Sequence, residues 1–577
     1  MPSGPFTAFH RSAGLERLRT EEFDVLVIGG GITGAGVLLD AASRGLRAAL
    51  VERDDFASGT SSKSSKLVHG GLRYLQQKEF ALVHENLVER QRLLHNAPHL
   101  VEPLPFLIPL FGKGGVVDQT IVRTFSVALW MYDVAGGWKI GKRHRKVTAE
   151  ELAAHLPTLR RDRLVAGFIY YDARTDDARL TLAVTRTAVL SHGAVAVNHA
   201  PVTKLLKDDE GHVCGAVIEP SDAHGPIEVT ARAVVNATGV WSDEIRFLED
   251  GSHEGTIRPA KGIHLTVDRA KLPCDIAAVI PVPKDRRSIF VVPWGKHTYL
   301  GTTDTDYAGT LEDPQVDEAD IAYVLGAVNA AVSEPLTADD ITGSWAGLRP
   351  LLAKSPGHKR APSARTADLS RRHQVIVSDR GLVTITGGKL TTYRKMAQDT
   401  VDALADQLGR IRTSPTKRLL LRGADGLGAV DRLASSGSRT VDLAVLAHLR
   451  GRYGGETRAV LSLLSGDPDL ATPLVEGLPY LRAEAVYAVR YEMAADLADV
   501  LARRTRSLLL DAQATLRAAP ALADLMGDEL GWDAARRSAE VTKFSAIAER
   551  EIGSLHRAAV EEPAAEEQEV EQAEASS

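Results

Sequence analysis

The chain has 577 residues, of which 44% are hydrophobic and 25% are charged, and its formal net charge is -6. This composition excludes global disorder and a coiled coil, and the length predicts three or four domains. The acidity is local, because seven glutamates and no Lys or Arg lie in Glu561–Ser577; removing those seven charges leaves +1. A near-neutral body without a long basic block argues against nucleic acid as a partner.

The two cysteines, Cys214 and Cys274, are too few for a disulfide framework or a thiolate metal site, so no metal is expected. They fit a reducing cytoplasm. The absence of an apolar run of 18 residues argues against a membrane-spanning helix. Residues 1–22 lack the apolar core of a secretory signal and are expected to be a loose leader.

The first predicted elements form a nucleotide-binding unit. Phe23–Ile28 predicts a buried strand, Val37–Arg44 a helix and Ala48–Glu52 a second strand, which together make a right-handed βαβ unit. The turn between strand and helix carries the pattern Gly29-x-Gly31-x-x-Gly34, with a free helix N-terminus for a pyrophosphate. Glu52 ends the second strand, where it can accept hydrogen bonds from ribose hydroxyls and would repel the 2′-phosphate of NADP.

Strands dominate the middle of the chain and helices its end. Residues 75–97 are predicted to be helical, and Val375–Val377 and Leu382–Thr386 to form a hairpin. From about residue 413 strand signals vanish, and long helices are expected at Ala485–Leu510 and Ala534–Ser554. Short β-branched runs predict an antiparallel sheet; they lie at Ala194–Val197, Val213–Ile218, Val229–Val235, Ile289–Val292 and Tyr299–Thr303.

Two distant segments favour FAD over NAD. The strand Val234–Gly239 ends in small residues, Ala237, Thr238 and Gly239, that let backbone approach a ligand. A second glycine-rich turn follows a strand and opens a helix; its candidate contacts are Gly387, Gly388, Leu390 and Thr391. A long ligand contacted by both ends of a discontinuous domain fits FAD better than NAD.

At this point the sequence resembles the FAD-dependent, membrane-associated glycerol-3-phosphate dehydrogenases of bacteria and mitochondria. The resemblance covers about residues 22–400 and continues into Val489–Ala494 and Asp499–Arg506. The stretches that carry it are Ile28–Val37 (IGGGITGAGV), Thr60–Leu75 (TSSKSSKLVHGGLRYL), Asp176–Leu180, Val235–Trp241, Lys261–Leu265, Gly301–Tyr307, Gly347–Leu351 and Thr386–Ala397 (TGGKLTTYRKMA).

The resemblance implies an α/β (α+β) fold like that of D-amino-acid oxidase, with a Rossmann-type FAD-binding domain, an antiparallel substrate-capping sheet and a helical C-terminal domain. It implies oxidation of sn-glycerol 3-phosphate to dihydroxyacetone phosphate by hydride transfer to FAD, with a membrane quinone as electron acceptor. The expected parts are a leader (1–22), the FAD-binding domain (23–100, 175–260 and 345–412), the capping domain (101–174 and 261–344), the helical domain (413–555) and an acidic disordered tail (556–577).

A phosphate dianion needs convergent cations in a partly desolvated site. The resemblance implies Arg349, Arg365 and Lys389 as phosphate ligands, Tyr74 as a hydroxyl donor and Arg73 near the reacting carbon. The proton acceptor should titrate near the working pH, which favours histidine. His69 and His264 are both candidates, and Arg349 can stabilise the developing alkoxide.

The loop Ser58–Lys66 is expected to reach the pyrophosphate and the flavin, with Ser64 and Ser65 as the favoured contacts. Asp177 and Asp304 are interpreted as structural carboxylates. The segment Lys139–Lys146 has five basic residues in eight. Because Trp130, Tyr132 and Trp138 precede it, it predicts peripheral attachment to an anionic membrane, at the inner face of the cell membrane. A homodimer is expected from the resemblance.

Three alternatives remain open. An oxidase could use oxygen on the same substrate, and another flavin enzyme of the superfamily could act on an amine or a 2-hydroxy acid. A non-catalytic flavin-binding or RNA-associated module would need a basic stripe along the body, which the sequence does not show.

Overall fold

A computed structural model describes residues 9–553 except 73, 75–78, 113–118, 223–224, 252–254, 284–286, 354–371 and 436–441. The predicted tail 556–577 and the candidates Arg73 and Arg365 therefore lie outside the described residues. In the described part of the chain, no helix is both long and apolar enough to span a bilayer.

The strands, in chain order, are β1 Phe23–Ile28, β2 Ala48–Val51, β3 Leu67–Val68, β4 Val101–Phe111, β5 Arg145–Thr148, β6 Leu164–Thr175, β7 Val195–Val197, β8 Val202–Lys207, β9 Val213–Ile218, β10 Ile227–Asn236, β11 Ile257–Asp268, β12 Ala277–Pro281, β13 Ser288–Trp294, β14 His297–Gly301, β15 Thr305–Asp306, β16 Ile341–Leu352, β17 Gln374–Val377 and β18 Val383–Thr386.

The helices are α1 Arg11–Thr20, α2 Ile32–Ser43, α3 Phe80–Asn96, α4 Gln119–Val134, α5 Ala149–His155, α6 Asp177–His192, α7 Ser242–Asp250, α8 Glu318–Asn329, α9 Tyr393–Ala403, α10 Ala405–Leu408, α11 Leu427–Ser435, α12 Leu443–Tyr453, α13 Thr457–Gly466, α14 Arg482–Glu492, α15 Ser507–Leu510, α16 Ala512–Leu530 and α17 over 534–553.

The first sheet has the strand order β17-β18-β10-β1-β2-β7, with β8 and β9 attached to β10. Helix α2 packs against α6 and α9 on one face. The second sheet has the order β15-β11-β14-β13-β12-β4-β6-β3, with β16 on β11 and β5 on β6. Its pairings are antiparallel except for β4 with β12. These two sheets and a helical region from α11 to α17 agree with the predicted fold class.

The prediction of antiparallel pairing was wrong for two of the runs. Strand β7 pairs parallel with β2. In β10, burial alternates over the first half, which pairs antiparallel with β9, whereas the second half is buried continuously. That second half lies parallel between β1 and β18. Parallel strands that are covered on both faces are apolar throughout. They lack the alternation of apolar and polar residues from which antiparallel pairing is inferred.

The expected loose leader was also wrong over most of its described residues. Arg11–Thr20 forms α1, which buries Leu15 and Leu18 against the first sheet. A Cβ atom at Gly14 would lie 2.7 Å from Val197 Cγ2, so this glycine allows the close approach of α1 to β7. The polar composition of this segment hides a single buried helix face, because its two leucines are three residues apart.

The predicted helix Ala485–Leu510 is interrupted. Met493 ends α14 in a left-handed conformation with φ 58°, and Asp499–Arg504 forms a π-helical turn before α15. The Asp499 carboxylate accepts hydrogen bonds from the backbone N–H groups of Ala495 and Asp496, which starts a new turn there. The hairpin of β17 and β18 and the helix over 534–553 agree with the sequence prediction.

Candidate functional site

The glycine turn after β1 is shaped by backbone contacts that exclude side chains. Gly29 has φ +109°, and a Cβ atom there would lie 2.8 Å from the carbonyl oxygen of Ala237. A Cβ atom at Gly34 would lie 1.9 Å from the carbonyl oxygen of Gly29. Gly31 is the N-cap residue of α2. The turn therefore holds the helix N-terminus close to the strand ends, as a phosphate-binding turn requires.

Glu52 lies directly beside this turn. Its carboxylate accepts hydrogen bonds from the backbone N–H of Gly30 at 2.5 Å and of Asp54 at 2.9 Å. Burial raises the pKa of Glu52 to about 7, although these two hydrogen bonds act in the opposite direction. The side chain thus lies where it can accept a hydrogen bond from a ribose hydroxyl.

A cleft of about 210 Å³ joins this turn to the two distant segments. It opens at the carboxyl ends of the parallel strands β1, β10 and β18. Of the candidate cofactor contacts, the cleft is lined by Gly29, Gly31, Glu52, Ala237, Thr238, Gly239, Gly387, Gly388 and Leu390. Ala200, Val202 and Trp241, which are not among the predicted contacts, also line it.

The loop after β2 reaches the cleft, but through different serines from those expected. Ser58, Gly59, Thr60 and Ser61 line the cleft, and the Ser61 hydroxyl accepts a hydrogen bond from the backbone N–H of Ile32 at 2.8 Å. Ser61 thus lies at the N-terminus of α2. The motif could have indicated it, since a serine facing a free helix N-terminus is a common phosphate neighbour.

Ser64 and Thr391 form hydrogen bonds within the protein and are not among the residues that line the cleft. The Ser64 hydroxyl donates to Asp177 Oδ2 at 2.7 Å. The Thr391 hydroxyl is bonded to the backbone of His69, from whose N–H it accepts at 3.2 Å. Asp177 also accepts a hydrogen bond from Lys66 Nζ at 3.1 Å, in agreement with its interpretation as a structural carboxylate.

His264 is buried in β11 with its ring stacked on Trp345, the ring centroids being 4.7 Å apart. Its Nε2 is hydrogen-bonded to the Ser65 hydroxyl at 2.9 Å, and Ser65 is not among the residues that line the cleft. Among the described residues no side chain or backbone group hydrogen-bonds the buried Nδ1. Burial, together with the charges of Lys66 and Arg349, holds the pKa of His264 well below its usual value, so the ring is neutral at pH 7.

Arg349 extends from β16 across β11. Its guanidinium donates to Asp304 Oδ1 at 3.2 Å, to Thr302 Oγ1 at 3.1 Å and to the Thr303 carbonyl at 3.0 Å. It lies against Gly262, where any Cβ atom would come within 2.2 Å of Nη2. Asp304 is therefore an arginine partner, as expected, and a glycine provides the space for the guanidinium.

Tyr74 and Lys389 come together although they are far apart in sequence. Lys389 Nζ lies 3.8 Å from the centroid of the Tyr74 ring. Lys389 also lines the cleft, together with Pro350, the residue after Arg349. Lys389 and Pro350 thus bring the Tyr74–Lys389 pair and the residue next to Arg349 to one cleft.

The loop that carries His69 is anchored by a buried network that no sequence motif indicated. The backbone N–H of Gly70 donates to the Tyr132 hydroxyl oxygen at 2.9 Å. Tyr132 and Arg90 both donate to Asp172, at 2.7 and 2.5 Å. Burial and the Asp172 charge raise the pKa of Tyr132 well above its usual value. The prediction that Tyr132 belongs to a membrane surface was wrong, because its hydroxyl is part of this network.

Two family models match the chain. The model "FAD dependent oxidoreductase" matches residues 24–394, and "C-terminal domain of alpha-glycerophosphate oxidase" matches residues 414–537. The first covers the two sheets, and the second covers most of the helical region.

Curated relatives extend the likeness over nearly the whole chain. Glycerol-3-phosphate dehydrogenase 2 of Mycobacterium bovis is 42% identical over 96% of this chain and 92% of its own length. The mitochondrial glycerol-3-phosphate dehydrogenase of Mus musculus is 36% identical over 95% of this chain and 76% of its own length. A crystal structure of the glycerol-3-phosphate dehydrogenase from Bacillus halodurans complexed with FAD superposes with a TM-score of 0.77 at 32% identity, covering 95% of this chain and 98% of that one.

The cleft fits the FAD that this family requires. A glycine cradle that a Cβ atom would fill lies at the N-terminus of α2, and Glu52 lies at one side of the cleft. The turn at Gly387 and Gly388 lines it after β18, with φ +75° and +79°. FAD, when bound, supplies the acceptor for a hydride.

Proposed function

Since this chain belongs to the family of FAD-dependent glycerol-3-phosphate dehydrogenases, we propose that it oxidises sn-glycerol 3-phosphate to dihydroxyacetone phosphate and passes the electrons to a membrane quinone. The observation that carries the substrate is the placement of Lys389 against Tyr74 at the cleft. A cation and a phenol hydroxyl at this point suit a phosphate monoester.

Phosphate recognition rests on Lys389, with Tyr74 as a neutral donor. Lys389 provides a point charge, and the Tyr74 ring face favours that charge in a partly desolvated place. The resemblance adds Arg73 and Arg365, both outside the described residues. Arg349 is oriented by Asp304, Thr302 and the Thr303 carbonyl. In this account it lies near the alkoxide that develops as the C2 hydroxyl gives up its proton and C2 gives up its hydride.

His264 is the proton acceptor in this account. It is neutral at pH 7 because burial and two neighbouring cations lower its pKa. A bound phosphate dianion would offset those cations and raise the pKa of His264 toward the working pH, which is what a general base needs. Ser65 fixes the Nε2 side of the ring. His69 remains the second candidate; its backbone, rather than its ring, makes the contact with Thr391.

The membrane surface in this account is the exposed side of α4 and the turn that follows. Val127, Trp130 and Val134 lie at helical spacing and are 57%, 62% and 61% exposed, and Trp138 is 53% exposed. The basic segment Lys139–Lys146 follows directly. An apolar stripe next to basic residues suits peripheral binding to the anionic inner face of a membrane, where a quinone is accessible.

Vesicle pelleting tests this surface. The variant Trp130→Ser/Trp138→Ser should sediment much less with phosphatidylglycerol vesicles than the parent chain. Leu443→Ser, at a position that is 65% exposed on the helical region, is the matched control and should sediment normally. Equal sedimentation of the two variants, or no salt-sensitive sedimentation of the parent chain, would refute the assignment.

The substrate and the acceptor are tested by steady-state turnover. We expect reduction of a soluble quinone analogue with sn-glycerol 3-phosphate, and little peroxide in air. Rapid peroxide formation would identify the oxidase alternative. Turnover with 2-hydroxy acids or amines, and none with the phosphate ester, would reject the proposed substrate. The expected homodimer is tested separately by the sedimentation velocity of the purified chain.

A further inference from the structure

The loop 55–66, which lines the cleft, begins at a fully buried carboxylate. Arg504 donates to Asp55 Oδ2 at 2.5 Å and to Oδ1 at 2.8 Å, and Arg503 Nε donates to Oδ2 at 2.5 Å. Asn198 Nδ2 donates to Oδ1 at 2.9 Å. The two arginines belong to the π-helical turn of the helical region, more than 400 residues further along the chain. The C-terminal region therefore holds the start of this loop.

Arg506 holds the other end of the same loop. Its Nη2 donates to the carbonyl oxygen of Ser62 and to Asp177 Oδ1, the latter at 3.0 Å. Asp177 in turn accepts from Ser64 and Lys66, so the end of the loop is joined to one buried carboxylate. Burial and the neighbouring Arg506 lower the pKa of Lys66 to about 8, against the effect of Asp177. Four of the six residues between these two attachments, Ser58 to Ser61, line the cleft.

A third attachment lies beside Glu52, at the end of β2. His199 Nε2 is hydrogen-bonded to Asp499 Oδ2 at 3.0 Å, and the backbone N–H of His199 donates to the Asp54 carbonyl at 2.5 Å. The next residue, Ala200, donates to the Glu52 carbonyl and lines the cleft. Asp55, His199 and Asp499 have the spacing of metal ligands.

That trio is nevertheless an ion-pair network. Arg503 and Arg504 both donate to Asp55, and Arg503 also donates to Asp499 at 2.5 Å. Two guanidinium groups on these carboxylates neutralise them and repel a cation. These ion pairs therefore connect the helical region to the start of the loop that lines the cleft.

We propose that the segment Arg503–Arg506 of the C-terminal region positions the loop 55–66 for FAD, so that the helical region is a working part of the cofactor site. The bidentate Arg504–Asp55 pair fixes the direction of the loop as it leaves β2, and Arg506 fixes its return. When either attachment is lost, the segment Ser58–Ser61 can adopt several conformations and no longer presents a single surface to FAD. These arginines act through the loop and are positioning residues.

The test is FAD retention by the full-length holoenzyme. Arg504→Lys keeps the charge and loses the bidentate geometry. On dilution, the appearance of free-flavin fluorescence should give a dissociation constant raised on the order of tenfold, and the visible circular dichroism of the bound flavin should change. Both readouts are independent of the substrate, so they separate this inference from the proposed reaction.

Arg186→Lys is the matched control. Arg186 of α6 pairs with Glu456 across the same two regions and does not contact the loop. It should lower the melting temperature while the FAD dissociation constant stays within about twofold of the parent value. A second variant, Asp55→Asn/Arg504→Gln, removes both charges together and leaves no isolated buried charge. It should lose FAD as Arg504→Lys does. Normal FAD affinity in both Arg504 variants, or equal FAD loss in Arg186→Lys, would overturn the proposal.

Discussion

Replacing Gly262 by alanine should displace the guanidinium of Arg349 while changing the stability of the fold only slightly. In β11, a Cβ atom at this position would lie 2.2 Å from Nη2, 2.6 Å from Cζ and 2.7 Å from Nη1 of Arg349. Non-bonded carbon contacts are ordinarily about 3.5 Å or longer, so the guanidinium must move by about 1 Å. The atoms that clash are the far end of a flexible side chain, and the strand itself need not shift.

The expected effect is therefore large on catalysis and small on stability. Displacement breaks the hydrogen bonds of Arg349 to Asp304, Thr302 and the Thr303 carbonyl, which orient it. A misplacement of about 1 Å at a reacting centre costs on the order of 100-fold in rate. Alanine in place of glycine in a strand is worth about 0.5 to 1 kcal/mol in backbone entropy, which offsets part of the lost contacts.

The assay is kcat/KM with sn-glycerol 3-phosphate, measured together with flavin content and melting temperature. Gly326→Ala is the control, because no atom outside its own helix lies within 4 Å of a Cβ atom there. It should keep the parent kcat/KM. If Gly262→Ala also kept the parent kcat/KM with normal flavin content, Arg349 could not have the role assigned to it.

Three further outcomes are expected. Lys389→Ala should lower kcat/KM roughly 10- to 100-fold through loss of a charge-assisted contact while FAD stays bound; an unchanged kcat/KM would remove Lys389 from the phosphate site. Ser65→Ala should lower kcat about tenfold with KM unchanged, because the hydroxyl fixes the His264 tautomer; pH profiles of kcat check this, and an unaltered profile would contradict it. The pKa of Glu52 is about 7 in the folded protein against 4.5 for an exposed Glu, because burial disfavours the charged form. The flavin-free protein should therefore lose stability as the pH rises from 4.5 to 7. Urea unfolding at pH 5 and 8 should show a smaller difference for Glu52→Gln, and equal pH dependence would contradict the burial argument.

The two glycine turns that line the cleft could be predicted from the sequence. Gly29 and Gly31 indicate a phosphate turn because their spacing is a backbone requirement, and the second glycine turn could be found in the same way. Choosing between serines was harder, since Ser61 faces the N-terminus of α2 whereas Ser64 faces Asp177. That choice depends on a buried carboxylate more than 100 residues away.

Features fixed by tertiary contacts could not be predicted from local pattern. The break after α14 lies next to Arg504, which pairs with the distant carboxylate of Asp55, although the composition there favours a continuous helix. Tyr132 follows the exposed Trp130 by two positions, yet it is buried because its hydroxyl bonds Asp172. The parallel pairing of β7 depends on the order of strands in the sheet.

The central claim is that this cleft presents a phosphorylated alcohol to FAD. Anaerobic stopped-flow mixing of the purified holoenzyme with sn-glycerol 3-phosphate tests it most directly. The account predicts full loss of the oxidised-flavin absorbance with the phosphate ester, none with glycerol at the same concentration, and a weakened concentration dependence in Lys389→Ala. Equal bleaching by glycerol, or no bleaching by the phosphate ester, would contradict it.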